Sequence, residues 1–190
     1  MILVVTAPSG AGKTTIVKRI LRYLPKAKFS VSATTRNRRD NEVDGRDYCF
    51  ITNEEFRAKI KNHEFVEWEE VHGNYYGTMK KQVDDSLDSN QDILLDIDVK
   101  GALSIKKLYP EAVTIFISVP KEELIRRLTK RKTESEEQIK KRAERIEFES
   151  ALKDNFDYAV ENLPGDSGLD TAVKEVEEII NKHKAKQNGN

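Results

Sequence analysis

The chain opens on an apolar run, Ile2-Leu3-Val4-Val5, that leads directly into Ala7-Pro8-Ser9-Gly10-Ala11-Gly12-Lys13-Thr14-Thr15. Ile16-Val17-Lys18-Arg19-Ile20-Leu21 follows, with its apolar residues at helical spacing. Strand, small-residue loop, Lys-Thr and helix in that order is the layout of a P-loop. Small residues let backbone N–H groups turn inward around phosphate oxygens. The helix N-terminus adds its partial positive charge. On this reading Ser9, Gly10, Ala11, Gly12, Lys13, Thr14 and Thr15 surround the phosphates of a nucleotide. Lys13 reaches the β- and γ-phosphates, and the Thr14 hydroxyl is a ligand for Mg²⁺. Ala7 stands where the pattern usually has its first glycine, which asks only that position 7 not need a positive φ.

A chain of 190 residues suits one domain, or one core with inserted subdomains. Its 33 Lys and Arg balance 33 Asp and Glu, so no general attraction to nucleic acid or to an anionic membrane is expected. Anions must be bound by local clusters. The single cysteine, Cys49, permits no intrachain disulfide, and a reducing, cytoplasmic location is expected. No apolar stretch approaches the roughly 20 residues of a membrane span. The N-terminal apolar run has no basic region before it and ends in the loop, so it reads as a core strand and not as a signal peptide. His63, His72 and His183 show no metal spacing with one another or with Cys49, and no zinc site is expected.

The pattern along the chain predicts strand 2–6, a helix from about 13 to 24 stopped near Pro25, and a short strand at Phe29-Ser30-Val31-Ser32. Residues 34–47 read as a loop, and Asp47 to Ile51 as a strand. Thr52-Asn53-Glu54-Glu55 carries a capping-box pattern. Phe65 to Trp68 and Val71 to Gly77 suggest a hairpin with Gly73-Asn74 at its turn. A helix follows over about 79–88. Ile93 to Asp98 is a nearly continuous apolar run ending in acid, the pattern of a buried parallel strand whose C-terminal end faces a site. Asp96 and Asp98 would share a face at that strand end. Helix 100–107, strand Val113–Val119, a charged helical stretch over 121–153 interrupted near Lys132-Thr133, strand Asp157–Asn162 and an amphipathic helix from Leu169 to about Lys186 complete the pattern. Alternating strands and helices predict an α/β fold of P-loop NTPase type. It has a parallel sheet core flanked by helices, an inserted β-rich acceptor-binding subdomain and a helical lid. The core is placed at about 1–31, 79–120 and 154–190, the inserted subdomain at 32–78 and the lid at 121–153.

Five separated blocks carry a resemblance over nearly the full length. They are APSGAGKT (7–14), SATTRNRRDNEVDGRDY (32–48), FVEWEEVHGNYYGT (65–78), LDIDVKG (95–101) and the stretch around Arg131-Lys132-Thr133. In these blocks the chain resembles guanylate kinases, P-loop nucleoside monophosphate kinases that move the γ-phosphoryl group of ATP to GMP. The resemblance implies that Arg36, Arg39, Tyr48 and Tyr76 hold the GMP phosphate. It implies that Ser32, Glu67, Thr78 and Asp98 read the guanine, with Glu42 nearby. Asp96 would stand near Mg²⁺ or the P-loop, and Asn162 would belong to the ATP site. Arg127, Arg131 and Arg142 would reach the transferring phosphoryl group from a closing lid, and Lys13 and Arg36 complete the catalytic set. Thr78 replaces the family's frequent serine and keeps its hydroxyl. Arg38 stands where the family often has proline, and Lys130-Arg131-Lys132-Thr133 where it usually has Gly-Arg-Gly-Thr, so the lid hinge is stiffer than is usual. The implied partners are ATP and GMP alone, bound to a monomer or homodimer.

The residue chemistry agrees with that resemblance. Guanine presents N1–H and N2–H₂ along one edge, two donors that suit one carboxylate such as Glu67. Guanidinium donates in a fork that suits a phosphate dianion. Tyr75 and Tyr76 are adjacent, so in a strand only one of them faces a ligand. Two alternatives stay open at this point. One is a small kinase with a different phosphorylated acceptor, for which Glu67 and Thr78 would have no base edge to read. The other is a guanylate-kinase-like binding module of the kind found in scaffold proteins, against which Gly12-Lys13-Thr14 argues.

Overall fold

The computed structural model describes residues 1–71, 73–130 and 136–188, with side chains at 127–130, 136–141 and 187–188 outside the description. In chain order the elements are β1 (Ile2–Thr6), α1 (Lys13–Tyr23), β2 (Lys28–Ser30), β3 (Ala33–Thr34), β4 (Cys49–Phe50), α2 (Asn53–Lys61), β5 (Phe65–Val71) and β6 (Asn74–Met79). Then come α3 (Lys80–Asp88), β7 (Ile93–Asp96), α4 (Val99–Leu108), β8 (Val113–Ser118), α5 (Lys121–Lys130), α6 (Glu136–Ala151), a 3₁₀ turn at Lys153–Asn155, β9 (Tyr158–Glu161) and α7 (Asp166–Asn188). One sheet has the order β2-β7-β1-β8-β9 and the other β4-β3-β6-β5. The chain divides into two compact units, Met1–Val4 with Lys26–Val113, and Val5–Pro25 with Thr114–Asn190.

In the first unit β2 and β7 pair in parallel, Phe29 beside Leu94. Ile93, Leu94 and Leu95 are fully buried, as the apolar run requires. The smaller sheet is mixed: β3 is parallel to β4 and antiparallel to β6, and β5 and β6 form an antiparallel hairpin. Its register shifts by one residue between Phe65 and Glu67, a β-bulge. Phe65 and Tyr75 both stack on the buried Phe56 of α2, at ring distances of 4.4 and 5.3 Å. Gly77 lies under this cluster, where a Cβ would meet the Phe65 ring at 2.9 Å. Thr52 and Glu55 form the reciprocal capping box that starts α2, with bonds of 3.1 and 2.8 Å.

In the second unit β8 and β9 are parallel, Phe116 beside Ala159. Asp157 ties β8 through the amide and hydroxyl of Thr114, at 2.9 and 2.7 Å. Val173, Val176, Ile179 and Ile180 of α7 are buried, as the amphipathic pattern predicts. Arg145 pairs with Glu149 one turn on, and Lys121 reaches Glu147, in line with a charged helical face.

Several boundaries differ from the sequence pattern. The strand expected at 29–32 ends at Ser30, because the Gln82 side chain takes both Val31 backbone groups, accepting its N–H at 2.8 Å and donating to its carbonyl at 2.9 Å. A second strand then starts at Ala33 in the other sheet. Of the strand expected over Asp47–Ile51 only Cys49–Phe50 forms. The Asp47 carboxylate instead accepts the Val43 N–H and the Arg46 guanidinium in a local loop. Val71 pairs with Asn74, so Asn74 belongs to β6 and the turn falls before it, at Gly73 with φ 77°; His72 lies outside the described residues. Asp98 lies beyond β7 as the N-cap of α4, its carboxylate accepting the Gly101 N–H at 2.7 Å, so it does not share a strand face with Asp96. Helix α7 starts at Asp166, three residues before the expected Leu169, where an acidic side chain suits a helix N-terminus. The expected break at Lys132-Thr133 lies outside the described residues.

The capping box yields the first prediction. Thr52→Ala removes the hydroxyl that accepts the Glu55 N–H and should cost about 1 kcal/mol, lowering Tm by about 2–4 °C in a chain of this size. Calorimetry checks it, and an unchanged Tm would show that α2 does not melt with the rest.

Candidate active site

In the second unit, β1 ends in the loop that carries Ala7 to Gly12, and α1 begins at Lys13. Gly10 and Gly12 hold φ of 89° and 85°, the left-handed conformation that glycine adopts at no steric cost. Ala7 is not among the residues of positive φ, so alanine fits where the pattern usually has glycine. Ser9, Thr14 and Thr15 are exposed and Gly10, Gly12 and Lys13 half-buried, whereas Ala11 is buried. Gly12 caps α1 with no side-chain bond and its carbonyl accepts the Thr15 N–H at 3.0 Å, so an anion there would meet the positive end of the α1 dipole. Asn162, directly after β9, is buried and donates its amide to the Ala11 carbonyl at 2.8 Å. Arg142 is half-buried on α6; Arg131 and the side chain of Arg127 lie outside the described residues.

The first unit brings two clusters together on the smaller sheet. Antiparallel pairing sets Glu67 opposite Thr78 and Glu69 opposite Tyr76, so these four share one face. The Thr78 hydroxyl donates to Glu67 Oε1 at 2.5 Å, with both residues buried. Gly101, in the first turn of α4, lies against the other oxygen; a Cβ there would stand 2.5 Å from Glu67 Oε2. Among the described residues no cation pairs with Glu67. Burial therefore pushes its carboxyl up to about 7, the Thr78 bond opposing and the nearby Asp98 carboxylate adding. Ser32, just before β3, is also buried, and its carbonyl accepts the Cys49 N–H at 2.9 Å.

The second cluster is built on Arg36. Its guanidinium makes a two-pronged ion pair with Glu42, at 2.5 and 2.7 Å, and lies over the Tyr48 ring at 4.9 Å and the Phe50 ring at 5.5 Å. Tyr48 meets Tyr76 edge-on at 6.0 Å. The Arg36 bonds hold the Glu42 carboxyl below its ordinary value, and the Glu42 bonds raise the Arg36 guanidinium. Glu42 also accepts the Arg39 N–H at 2.9 Å, so its carboxylate organises the arginine loop. The Arg39 side chain is exposed, and Arg38 donates to the Glu42 carbonyl at 3.1 Å. Tyr76 and Thr78 stand two apart on β6, so the clusters are separated by about 7 Å of strand. Tyr75 packs on Phe56 on the opposite face, as the alternation requires.

Hard oxygens of the kind Mg²⁺ takes occur in each unit: the exposed Thr14 hydroxyl in the second, and the half-buried Asp96 carboxylate at the end of β7 in the first. Among the described residues no three His, Cys, Asp or Glu side chains gather as a cage. An ion held largely by water and phosphate oxygens suits such donors, which fits Mg²⁺.

Three contributors were missed by the sequence reading: Gly101 against Glu67, Gln82 on the Val31 backbone, and Phe50 under Arg36. Only Gly101 carried a signal, since a glycine early in a helix pattern marks a close approach. Gln82 and Phe50 act through contacts that no local pattern encodes.

A parallel α/β sheet carrying a strand-loop-helix with two left-handed glycines and Lys-Thr at the helix start defines the P-loop kinase class of fold. The family model for guanylate kinase matches residues 1–183. The chain is 44% identical over 186 residues to a guanylate kinase of Thermotoga maritima, covering 97% of this chain and 88% of that one. It is 45% identical over 187 residues to a guanylate kinase of Carboxydothermus hydrogenoformans, covering 98% and 90%. The crystal structure of the guanylate kinase from Anaplasma phagocytophilum superposes with a TM-score of 0.76 at 30% identity, over 96% of this chain and 85% of that one. The chain belongs to the guanylate kinase family, and it is a nucleoside monophosphate kinase.

Glu67 carries a pH signature. Its folded pKa of about 7 stands above the ordinary 4.5, so between these values the native state holds a proton that the unfolded chain has lost. Stability then falls as pH rises through that window, by about 3 kcal/mol at most. Glu67→Gln should abolish this component, so that from pH 5 to pH 8 the variant gains on the wild type in urea unfolding. A constant difference between the two would mean that the carboxyl titrates normally.

Proposed function

We infer that this protein transfers the γ-phosphoryl group of ATP to GMP, giving ADP and GDP. The observation that carries the reading is the buried Glu67 carboxylate, bonded by Thr78 and matched by no cation among the described residues. A buried carboxylate needs donors. Guanine N1–H and N2–H₂ supply two, and Thr78 and Asp98 stand beside them, with Ser32 completing the guanine set. Adenine offers a lone pair at N1 and no amino group at C2. Facing it, Glu67 would lose both donors at a cost of about 1–3 kcal/mol. Ligation of guanine also requires ionised Glu67, so GMP affinity weakens as pH falls below about 7.

The same reading gives Arg36, Arg39, Tyr48 and Tyr76 to the GMP phosphate. Glu42 holds the Arg36 fork in place before the substrate arrives, which reduces the ordering that binding must supply. Ser9 to Thr15 receive the ATP phosphates, Lys13 stabilises charge on the transferring group, and Thr14 and Asp96 hold Mg²⁺, which supplies Lewis-acid neutralisation of the phosphate oxygens when bound. Arg127, Arg131 and Arg142 belong to a lid over 121–153, and residues 32–78 to the GMP-binding subdomain. Phosphoryl transfer needs positioning and charge neutralisation more than a protein nucleophile. Closure would exclude water, whose attack would hydrolyse ATP. A cytoplasmic location completes the proposal, supported by the lone Cys49 and by the family.

Two experiments test it. Lys13→Ala should fold normally and lose roughly 10²–10⁴ in kcat for ADP formation; turnover near the wild-type rate would remove Lys13 from the site. At pH 8, Glu67→Gln places an NH₂ donor against guanine's donors and should cost about 2–4 kcal/mol in kcat/KM for GMP, with KM for ATP nearly unchanged. Arg39→Ala, in contrast, should weaken GMP and other nucleoside monophosphates alike. A Glu67→Gln enzyme with the wild-type GMP-to-AMP preference would show that guanine is read elsewhere.

A further inference from the structure

We propose that Asn162 is a positioning residue of the phosphate loop, aiming the Gly12 N–H at the nucleotide by holding the Ala11 carbonyl, and not a group that reads the adenine. The proposal rests on the assignment of residues 7–15 to the ATP phosphates. Asn162 is 4% exposed and directly follows β9, where its own N–H donates to the Ser118 carbonyl at 2.8 Å. That bond fixes its backbone to the end of β8. Its side-chain amide then donates to the Ala11 carbonyl at 2.8 Å, a buried contact across 151 positions of sequence. The Ala11 N–H is held by the Pro8 carbonyl at 3.2 Å, so both backbone groups of Ala11 are occupied.

The consequence follows from peptide geometry. In a trans peptide the carbonyl and the following N–H point in opposite directions. With the Ala11 carbonyl drawn into the buried side by Asn162, the Gly12 N–H is turned to the other side, where Gly12 is half-exposed. That N–H has no partner among the described residues. Gly12 holds φ 85° and has no Cβ, so rotation of the preceding peptide meets little steric resistance. A rotated peptide would present a carbonyl lone pair to an anion in place of a donor. The Asn162 bond opposes that rotation, and the loop is kept ready for phosphate before the nucleotide binds.

The test compares the wild type with Asn162→Leu, which keeps much of the volume and removes the donor. It also includes Asn162→Ser, which is too short to reach Ala11 and serves if the leucine variant does not fold. Inorganic triphosphate, which has no base, is titrated as a competitor of ATP well below each variant's Tm. The expected result is a joint weakening of ATP and triphosphate on the order of tenfold, with KM for GMP unchanged. Weaker ATP with unchanged triphosphate inhibition would overturn the proposal in favour of direct contact with the adenosine. Equal triphosphate inhibition and equal ATP affinity in wild type and variants would overturn it outright. Failure of triphosphate to compete with ATP in the wild type would instead overturn the phosphate-loop assignment, and this inference with it.

Discussion

The antiparallel ladder between β5 and β6, with its one-residue bulge, is the constraint on which the acceptor side depends. Without the bulge, Phe65 and Glu67 would point to the same side of the sheet, because side chains alternate with a period of two. The shift between them lets Phe65 join Phe56 and Tyr75 in an apolar stack while Glu67 turns to the face of Thr78 and Tyr76. Gly77 makes room for that stack. One irregular residue thus separates an aromatic anchor from a buried carboxylate only two positions away.

Burying Glu67 is unfavourable in the ligand-free protein, and its raised pKa measures that cost. The Arg36 site is arranged in the opposite sense. Arg36 is charged, paired on two prongs with Glu42 and stacked on Tyr48, so its charge is compensated before any ligand is present. The two ends of the proposed GMP site therefore differ in kind. On that proposal the base end is a carboxylate with no cation partner among the described residues, which takes the base's donors and gives specificity. The phosphate end is a prearranged donor fork that gives orientation.

The proposed phosphate loop would follow a third principle, in which backbone groups serve as ligands and side chains orient them. Gly10 and Gly12 make left-handed turns, and Asn162 holds the Ala11 carbonyl. Buried hydrogen bonds of this kind stabilise little on balance but are costly to leave unmade, so they act as selectors of conformation.

Much of the architecture was legible in the residues, for reasons of periodicity and local chemistry. The β1-loop-α1 motif, the buried strands at 93–96 and 113–118, the capping box at Thr52 and the apolar face of α7 each follow from patterns confined to a short stretch. The opposite faces of Tyr75 and Tyr76 followed from strand alternation alone. What the tertiary structure decided are the contacts that span the chain or cross a register. It ended β2 at Ser30 through Gln82, made Asp98 a helix cap, used Glu42 to hold Arg36, set Gly101 against Glu67 and joined Asn162 to Ala11. Local sequence sets which conformations are cheap, whereas the partner of a buried polar group depends on which distant segment is packed against it, and that is fixed only when the whole core closes.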